Sequence, residues 1–356
     1  MSRFMNSGYC ELEEYVPGEQ PTDMQYIKLN TNESPFSPSP VVEEAISKSE
    51  INKLNLYPDP ECGTLTERLA KTYGFEKENI FIGNGSDEIL SLAFMAFCEN
   101  GVAYADITYG FYEVYARLNH VNAKILPLKE DFSLQPDDYM GINRAIFIAN
   151  PNAPTGRAIT VKEIEKIVKS NLDNVVVIDE AYVDFGGESA ISLVREYDNI
   201  LIVRTYSKSR SFAGGRLGFS IGSKEITADL RKLKYSTNPY NISRLSLTAA
   251  EACLDDENYY KDNCKKIIAN REFTTHRLTE MGFEVLPSST NFIFTRCGKI
   301  SGMELYTKLK ENGILVRHFT KERIKDYVRV TIGTEEQMVA FLSEVRYILE
   351  REGKLK

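Results

Sequence analysis

Four short apolar runs, each stopping abruptly at polar residues, do most to limit what this chain folds into: "NIFIGNG" (79–85), "RAIFIAN" (144–150), "NVVVIDEAY" (174–182) and "NILIVRTYSK" (199–208). Continuous Val, Ile, Leu and Phe without alternation fits strands buried on both faces, as in a parallel sheet covered by helices. Helical spacing fills the gaps, in "DEILSLAFMAFC" and "TVKEIEKIVKSN", the second opening on a Thr160–Glu163 capping box. The pattern predicts an α/β fold with crossover helices and a mostly parallel sheet. After "STNPYNISRLS" a long helical stretch, about 243 to 281, leads into "GFEVLPSSTNFIFTRC" and "YVRVTIGT", which predict a smaller α+β domain. The expected division is an arm over 1–30 packing with the small domain, a large domain over 31–242 and the small domain over 243–356.

Composition removes several function classes. A net charge of −8 argues against a nucleic-acid or membrane-surface partner, both of which favour a basic face. No run approaches the length of a membrane span, and the N-terminal stretch has no apolar signal core. The six cysteines (10, 62, 98, 253, 264 and 297) are scattered without a C-x-x-C pair, which suits reduced thiols in the cytoplasm. The three histidines lack metal-ligand spacing, so no metal site is expected.

In sheets of this kind ligands sit beyond the carboxyl ends of the strands, so the polar residues that end the runs carry the functional argument. "FIGNGSDEI" brings a strand to Gly83 and Gly85 and then opens a helix at Ser86 and Asp87, whose N–H groups suit an anion. Position 88 is Glu, so the third glycine of a dinucleotide fingerprint is missing, which counts against a nicotinamide dehydrogenase. Asp179 ends a buried run; it is either a salt-bridged or capping carboxylate, or the partner of a cationic ligand group such as a protonated pyridine nitrogen. Tyr182, three residues on, is placed to donate to a phenolic oxygen of the same ring. Lysines at strand ends are commonly solvated, but Lys208 has Thr205 and Ser207 beside it and Arg216 beyond the Gly214–Gly215 pair. Hydroxyls, an arginine and a helix start together suit a phosphate. A lysine beside a phosphate and a buried aspartate points to pyridoxal phosphate held as an imine.

The chain then resembles a known family over nearly its whole length. "YVPGEQP", "KLNTNESPFSPSP", "LYPDP", "GNGSDE", "TYGFY", "NPNAPTG", "DEAYVDF", "RTYSKSRSFAGGRLGF" and "YVRVTIGT" follow in the order found in fold-type-I pyridoxal-phosphate aminotransferases, and within them in the histidinol-phosphate branch. No one block is specific; their order is. The resemblance implies Lys208 as the lysine that bonds the cofactor and later shuttles a proton. It implies Asp179 at the ring nitrogen, Tyr182 at the ring oxygen and Tyr109 stacked on the ring. Ser86, Asp87, Thr205, Ser207 and Arg216 would hold the phosphate, with Tyr57 reaching it from the partner subunit of a homodimer. Arg329 would pair with the α-carboxylate of an amino acid, and Tyr15, Asn32 and Arg317 would meet the rest of the substrate, including a distal phosphate. One departure stands out: the asparagine expected before P-T-G is Ala153, and Asn152 is expected to supply the missing bond to the ring oxygen. The implied reaction is reversible amino transfer between an imidazole-bearing amino alcohol phosphate and 2-oxoglutarate. Aromatic amino-acid transamination and threonine-phosphate decarboxylation are the alternatives on the same fold.

Overall fold

The computed structural model describes residues 5, 9, 12, 15–46 and 48–354. Seven strands form the central sheet, in the order Ile80–Gly83, Gly218–Gly222, Ile200–Thr205, Val176–Asp179, Ala145–Ala149, Val102–Ala105 and Ala123–Leu126. All pairings are parallel except those of Gly218–Gly222, which runs antiparallel to both neighbours. The four runs identified from sequence are all strands, and their apolar residues are buried in cores on both faces of the sheet. That two-sided burial is why they read as unbroken apolar stretches. The Thr160 capping box forms as expected: Thr160 Oγ1 accepts from Glu163 N, and Glu163 Oε2 accepts from Thr160 N at 2.8 Å. Such a cap is worth about 1 kcal/mol.

The smaller unit has an antiparallel sheet in the order Arg317–His318, Val328–Thr331, Phe292–Cys297, Phe283–Val285. Helices Glu257–Glu280, Gly302–Glu311 and Glu335–Arg351 contribute side chains to its core, which holds Ile293, Val330 and Phe341. The arm joins this unit where Ile27–Lys28 pairs in parallel with Ile314–Leu315. The helical stretch from about 243 to 281 comprises two helices, Arg244–Cys253 and Glu257–Glu280, and the first buries Leu247, Ala250 and Cys253 in the large core against Pro40–Ala45 and Gly63–Tyr73.

Glycines set the approach of the antiparallel strand to the helix start. A Cβ on Gly218 would stand 2.5 Å from Ser86 N, and Gly85 has a φ of +73° with the Arg216 guanidinium against it. Neither position has room for a side chain, and the close approach delivers Arg216 to the first turn of helix Gly85–Phe97.

Candidate active site

A cavity of about 320 Å³ opens beyond the carboxyl ends of the parallel strands. Ser86, Asp87, Tyr109, Asp179, Tyr182, Thr205, Ser207, Lys208 and Arg216 all line it. The topology explains the gathering. Asp179 ends one strand, Thr205 ends the next, and Ser207 and Lys208 stand in the turn that follows.

Asp179 is 5% exposed and has no cationic partner among the described residues. Tyr112 Oη donates to it at 3.2 Å and Ala181 N at 3.1 Å. Burial outweighs these bonds and pushes its carboxyl up to about 7. A buried carboxylate facing a cavity in this way lacks a positive counterpart. Lys208 has the opposite problem. Among the described residues its Nζ finds only the Thr31 carbonyl, at 3.5 Å, and it lies 5.9 Å from the centre of the Tyr182 ring. Burial, then the positive charge of Arg329, brings its ammonium down to about 8. A lysine so placed has a reactive neutral fraction near neutral pH.

The anion end is equally defined. Arg216, held at a φ of +50°, donates from Nη2 to Asp87 Oδ2 at 3.0 Å, while Tyr109 Oη donates to Asp87 Oδ1 at 2.6 Å. Asp87 therefore fixes both the arginine and the aromatic ring over the cavity. Thr205 Oγ1 and Ser207 Oγ are 2.9 Å apart, and Ser207 N donates to Thr205 Oγ1, which keeps both hydroxyls at the strand end.

Other expected residues fall elsewhere. Asn152, expected at the ring oxygen, is hydrogen-bonded to protein groups, two of them in the segment 107–108 and one in its own turn. Its Oδ1 accepts from Thr108 Oγ1 at 2.8 Å, and its Nδ2 donates to the Ile107 carbonyl and Thr155 Oγ1. Ala153, not Asn152, lines the cavity. Asn32 makes its hydrogen bonds within the protein. It is 1% exposed and does not line the cavity; Nδ2 donates to Tyr182 Oη at 3.0 Å, and Oδ1 accepts from Thr331 Oγ1 at 3.1 Å.

Tyr57 is 77% exposed, stacks on Tyr240 and takes no part in the cavity of its own chain. Arg329 donates from Nη2 to the Asn30 carbonyl at 2.9 Å, its Nε is buried without a partner, and no described carboxylate pairs with it. Arg317 donates to the carbonyls of Val16 and Pro17, and Tyr15 stacks on Phe111 at 4.2 Å, so the arm lies across this side. Thr31 and Glu33, not expected from the sequence, also line the cavity. Burial disfavours the Glu33 charge, but hydrogen bonds from Lys28 and Thr31 outweigh it and hold the carboxyl below its usual range. Its only sequence signal is its place next to Asn32.

The residues fit a pyridine ring bearing a phosphate: an unpaired buried carboxylate, a lysine of lowered basicity and an anion cradle share one cavity. Comparison with known proteins agrees. Residues 24–345 match the family described as aminotransferase class I and II. The histidinol-phosphate aminotransferase of Brachyspira hyodysenteriae is 49% identical over 353 residues, covering 98% of this chain and all of that protein. Among solved structures, the histidinol-phosphate aminotransferase from Clostridium acetobutylicum superposes with a TM-score of 0.83 at 26% identity, covering 91% of this chain and 99% of that one. The same fold occurs in the enzyme of that name from Sinorhizobium meliloti, solved in complex with pyridoxal-5'-phosphate (TM-score 0.82, 23% identity, covering 91% and 92%).

Proposed function

The chain belongs to the class I and II aminotransferases, and from that premise we propose that it transfers the amino group of L-histidinol phosphate to 2-oxoglutarate, reversibly, in histidine biosynthesis. The products are imidazole acetol phosphate and L-glutamate. The fold is that of the fold-type-I enzymes, and pyridoxal 5'-phosphate is the cofactor. The observation that carries the reading is that Asp179, Lys208 and Arg216 meet in one cavity.

The bound cofactor supplies an electron sink for the pair released when the substrate Cα–H bond breaks. The protein's part follows from its charges. Asp179, ionised beside a cationic ring nitrogen, keeps that nitrogen protonated. Lys208 Nζ would hold the cofactor covalently through its aldehyde carbon and would carry the proton leaving the substrate Cα. Tyr182 would donate to the ring oxygen and Tyr109 would cover the ring face. The first-turn N–H groups at Ser86 and Asp87, the Thr205 and Ser207 hydroxyls and Arg216 hold the phosphate.

Arg329, with an unpaired Nε, suits a bidentate anion. Glutamate offers an α-carboxylate there. Histidinol phosphate has none, and its phosphoryl group takes that end, which is larger and more charged and brings Arg317 within the same anion site. A homodimer is part of the proposal, since the exposed Tyr57 is then free to complete the phosphate site of a second copy. So is a cytoplasmic setting, supported by the five described cysteines, all free and buried; Cys10 lies outside the described residues. Among the described residues no helix is long and apolar enough to cross a membrane.

The test is a steady-state panel of histidinol phosphate, phenylalanine and threonine phosphate with 2-oxoglutarate as acceptor. The proposal expects the highest kcat/KM for histidinol phosphate; a preference for phenylalanine, or release of carbon dioxide from threonine phosphate, overturns it.

A further inference from the structure

Asn32 holds an unusual position. It connects the small unit to a hydroxyl of the cavity wall, and it does so from the left-handed region, at a φ of +54°. Four hydrogen bonds fix it. Its backbone N donates to Thr331 Oγ1 at 3.0 Å, its carbonyl accepts from Asn291 Nδ2 at 3.1 Å, its Oδ1 accepts from Thr331 Oγ1, and its Nδ2 donates to Tyr182 Oη. The sense of the amide is set by Thr331. That hydroxyl already accepts from the Asn32 backbone, so its single hydrogen needs an acceptor, and the Asn32 oxygen is the one that faces it. The amide nitrogen is thereby turned to Tyr182.

A consequence follows for the tyrosine. Its oxygen accepts from Asn32, so its own hydrogen is directed away from Asn32, and the remaining polar space beside it is the cavity that it lines. Across that cavity Ala153 offers only a methyl group in the place where an asparagine is expected, and Asn152 is hydrogen-bonded to Thr108 and the Ile107 carbonyl. Tyr182 is therefore the donor left for a ring oxygen. Thr331 and Arg329 share the strand Val328–Thr331 two positions apart, hence on one face. Together they bracket the segment 30–32, Arg329 through the Asn30 carbonyl and Thr331 through Asn32.

We infer that Asn32 is the positioning residue for Tyr182, aiming its hydroxyl at the cofactor's ring oxygen and so making up for the alanine at 153. The inference rests on the cofactor assignment. The ring oxygen and the Lys208 nitrogen compete for one proton, so a donor to the oxygen loosens that proton's hold. Loss of the donor tightens it and moves the titration of the cofactor's visible absorbance to higher pH.

The experiment titrates that absorbance in the resting holoenzyme, without substrate. Asn32→Ala is expected to raise the midpoint by about half a unit to one unit, the scale of one neutral hydrogen bond. Tyr182→Phe should raise it at least as far, and the double variant no further than Tyr182→Phe alone. Adding Ala153→Asn to Asn32→Ala should bring the midpoint back down, a rescue that a merely structural role for Asn32 does not produce. Thr331→Val keeps Asn32 but frees its oxygen, and it should shift the midpoint upward even if Asn32→Ala does not fold. An unmoved midpoint in folded Asn32→Ala or in Thr331→Val, or additive shifts in the double variant, overturns the inference. A wild-type protein that takes up pyridoxal phosphate without any visible band overturns the cofactor assignment, and this inference with it.

Discussion

Asp179 and Lys208 line one cavity from the ends of adjacent parallel strands, and burial drives their acidities together: the carboxyl rises to about 7 and the ammonium falls to about 8. Each awaits a partner that the protein does not provide, and each gives a pH-dependent prediction.

For Lys208, the neutral amine is the species that attacks an aldehyde. Its acidity lies below the ordinary 10.5, so the neutral fraction grows as pH rises through about 8. The rate at which cofactor-free protein captures pyridoxal phosphate should rise and level off around that pH, followed by stopped-flow absorbance. Arg329→Gln removes a repelling charge and should move the midpoint upward. Lys208→Ala should keep the fold, bind the cofactor without the covalent spectrum and lose nearly all turnover. A capture rate still climbing at pH 10 contradicts the placement of Lys208.

For Asp179, the sign runs the other way. The folded carboxyl keeps its proton up to about 7, while an unfolded one gives it up near 3.8. Folding thus binds a proton in that window, and the associated stability is complete below about pH 4 and lost as pH rises toward 7. Cofactor-free wild type should lose up to ~4 kcal/mol relative to Asp179→Asn between those limits, read from urea midpoints. In the holoenzyme Asp179→Asn should lower turnover by orders of magnitude while weakening cofactor binding much less. Parallel pH–stability curves for the two proteins count against a buried, unpaired carboxyl.

Tyr57 projects from its own chain instead of facing its own cavity. A homodimer with shared sites predicts complementation. Lys208→Ala chains mixed with chains carrying an inactivating Tyr57 substitution should recover part of the activity as hybrid dimers, because one of the two sites is then intact. Full activity in a sample that sediments as a monomer contradicts sharing.

Arg329 and Arg317 should separate by substrate. Arg329→Lys loses the planar fork and should lower kcat/KM for every substrate. Arg317→Ala should cost histidinol phosphate roughly 1.5–3 kcal/mol more than phenylalanine, the worth of a charge-assisted bond. The ratio of kcat/KM for the two substrates measures it; equal losses in Arg317→Ala remove the role given to that arginine.

The sequence made some of this legible and hid the rest for identifiable reasons. The buried strands at 80, 145, 176 and 200 announce themselves because both faces are covered. Gly218–Gly222 does not, since its glycines answer to close approach, and Ala123–Leu126 is masked by its half-exposed edge position. Residues that end strands, such as Asp179 and Lys208, follow from topology. The place of Glu33 and the hydrogen bonds of Asn32 and Asn152 do not, because their partners lie at Lys28, Tyr182, Thr331 and Thr108, and hydrogen-bond partners in space have no spacing rule in sequence.

Position 32 sits under three demands at once. It must tolerate a φ of +54°, which favours Gly, Asn or Asp. It must offer an acceptor to Thr331, which removes Gly, and a donor to Tyr182, which removes ionised Asp. Its 1% exposure leaves no slack for the extra methylene of Gln. Asparagine alone meets all three, so this site has no neighbouring residue type to drift through. Change there must be accompanied by change at Thr331 or Tyr182.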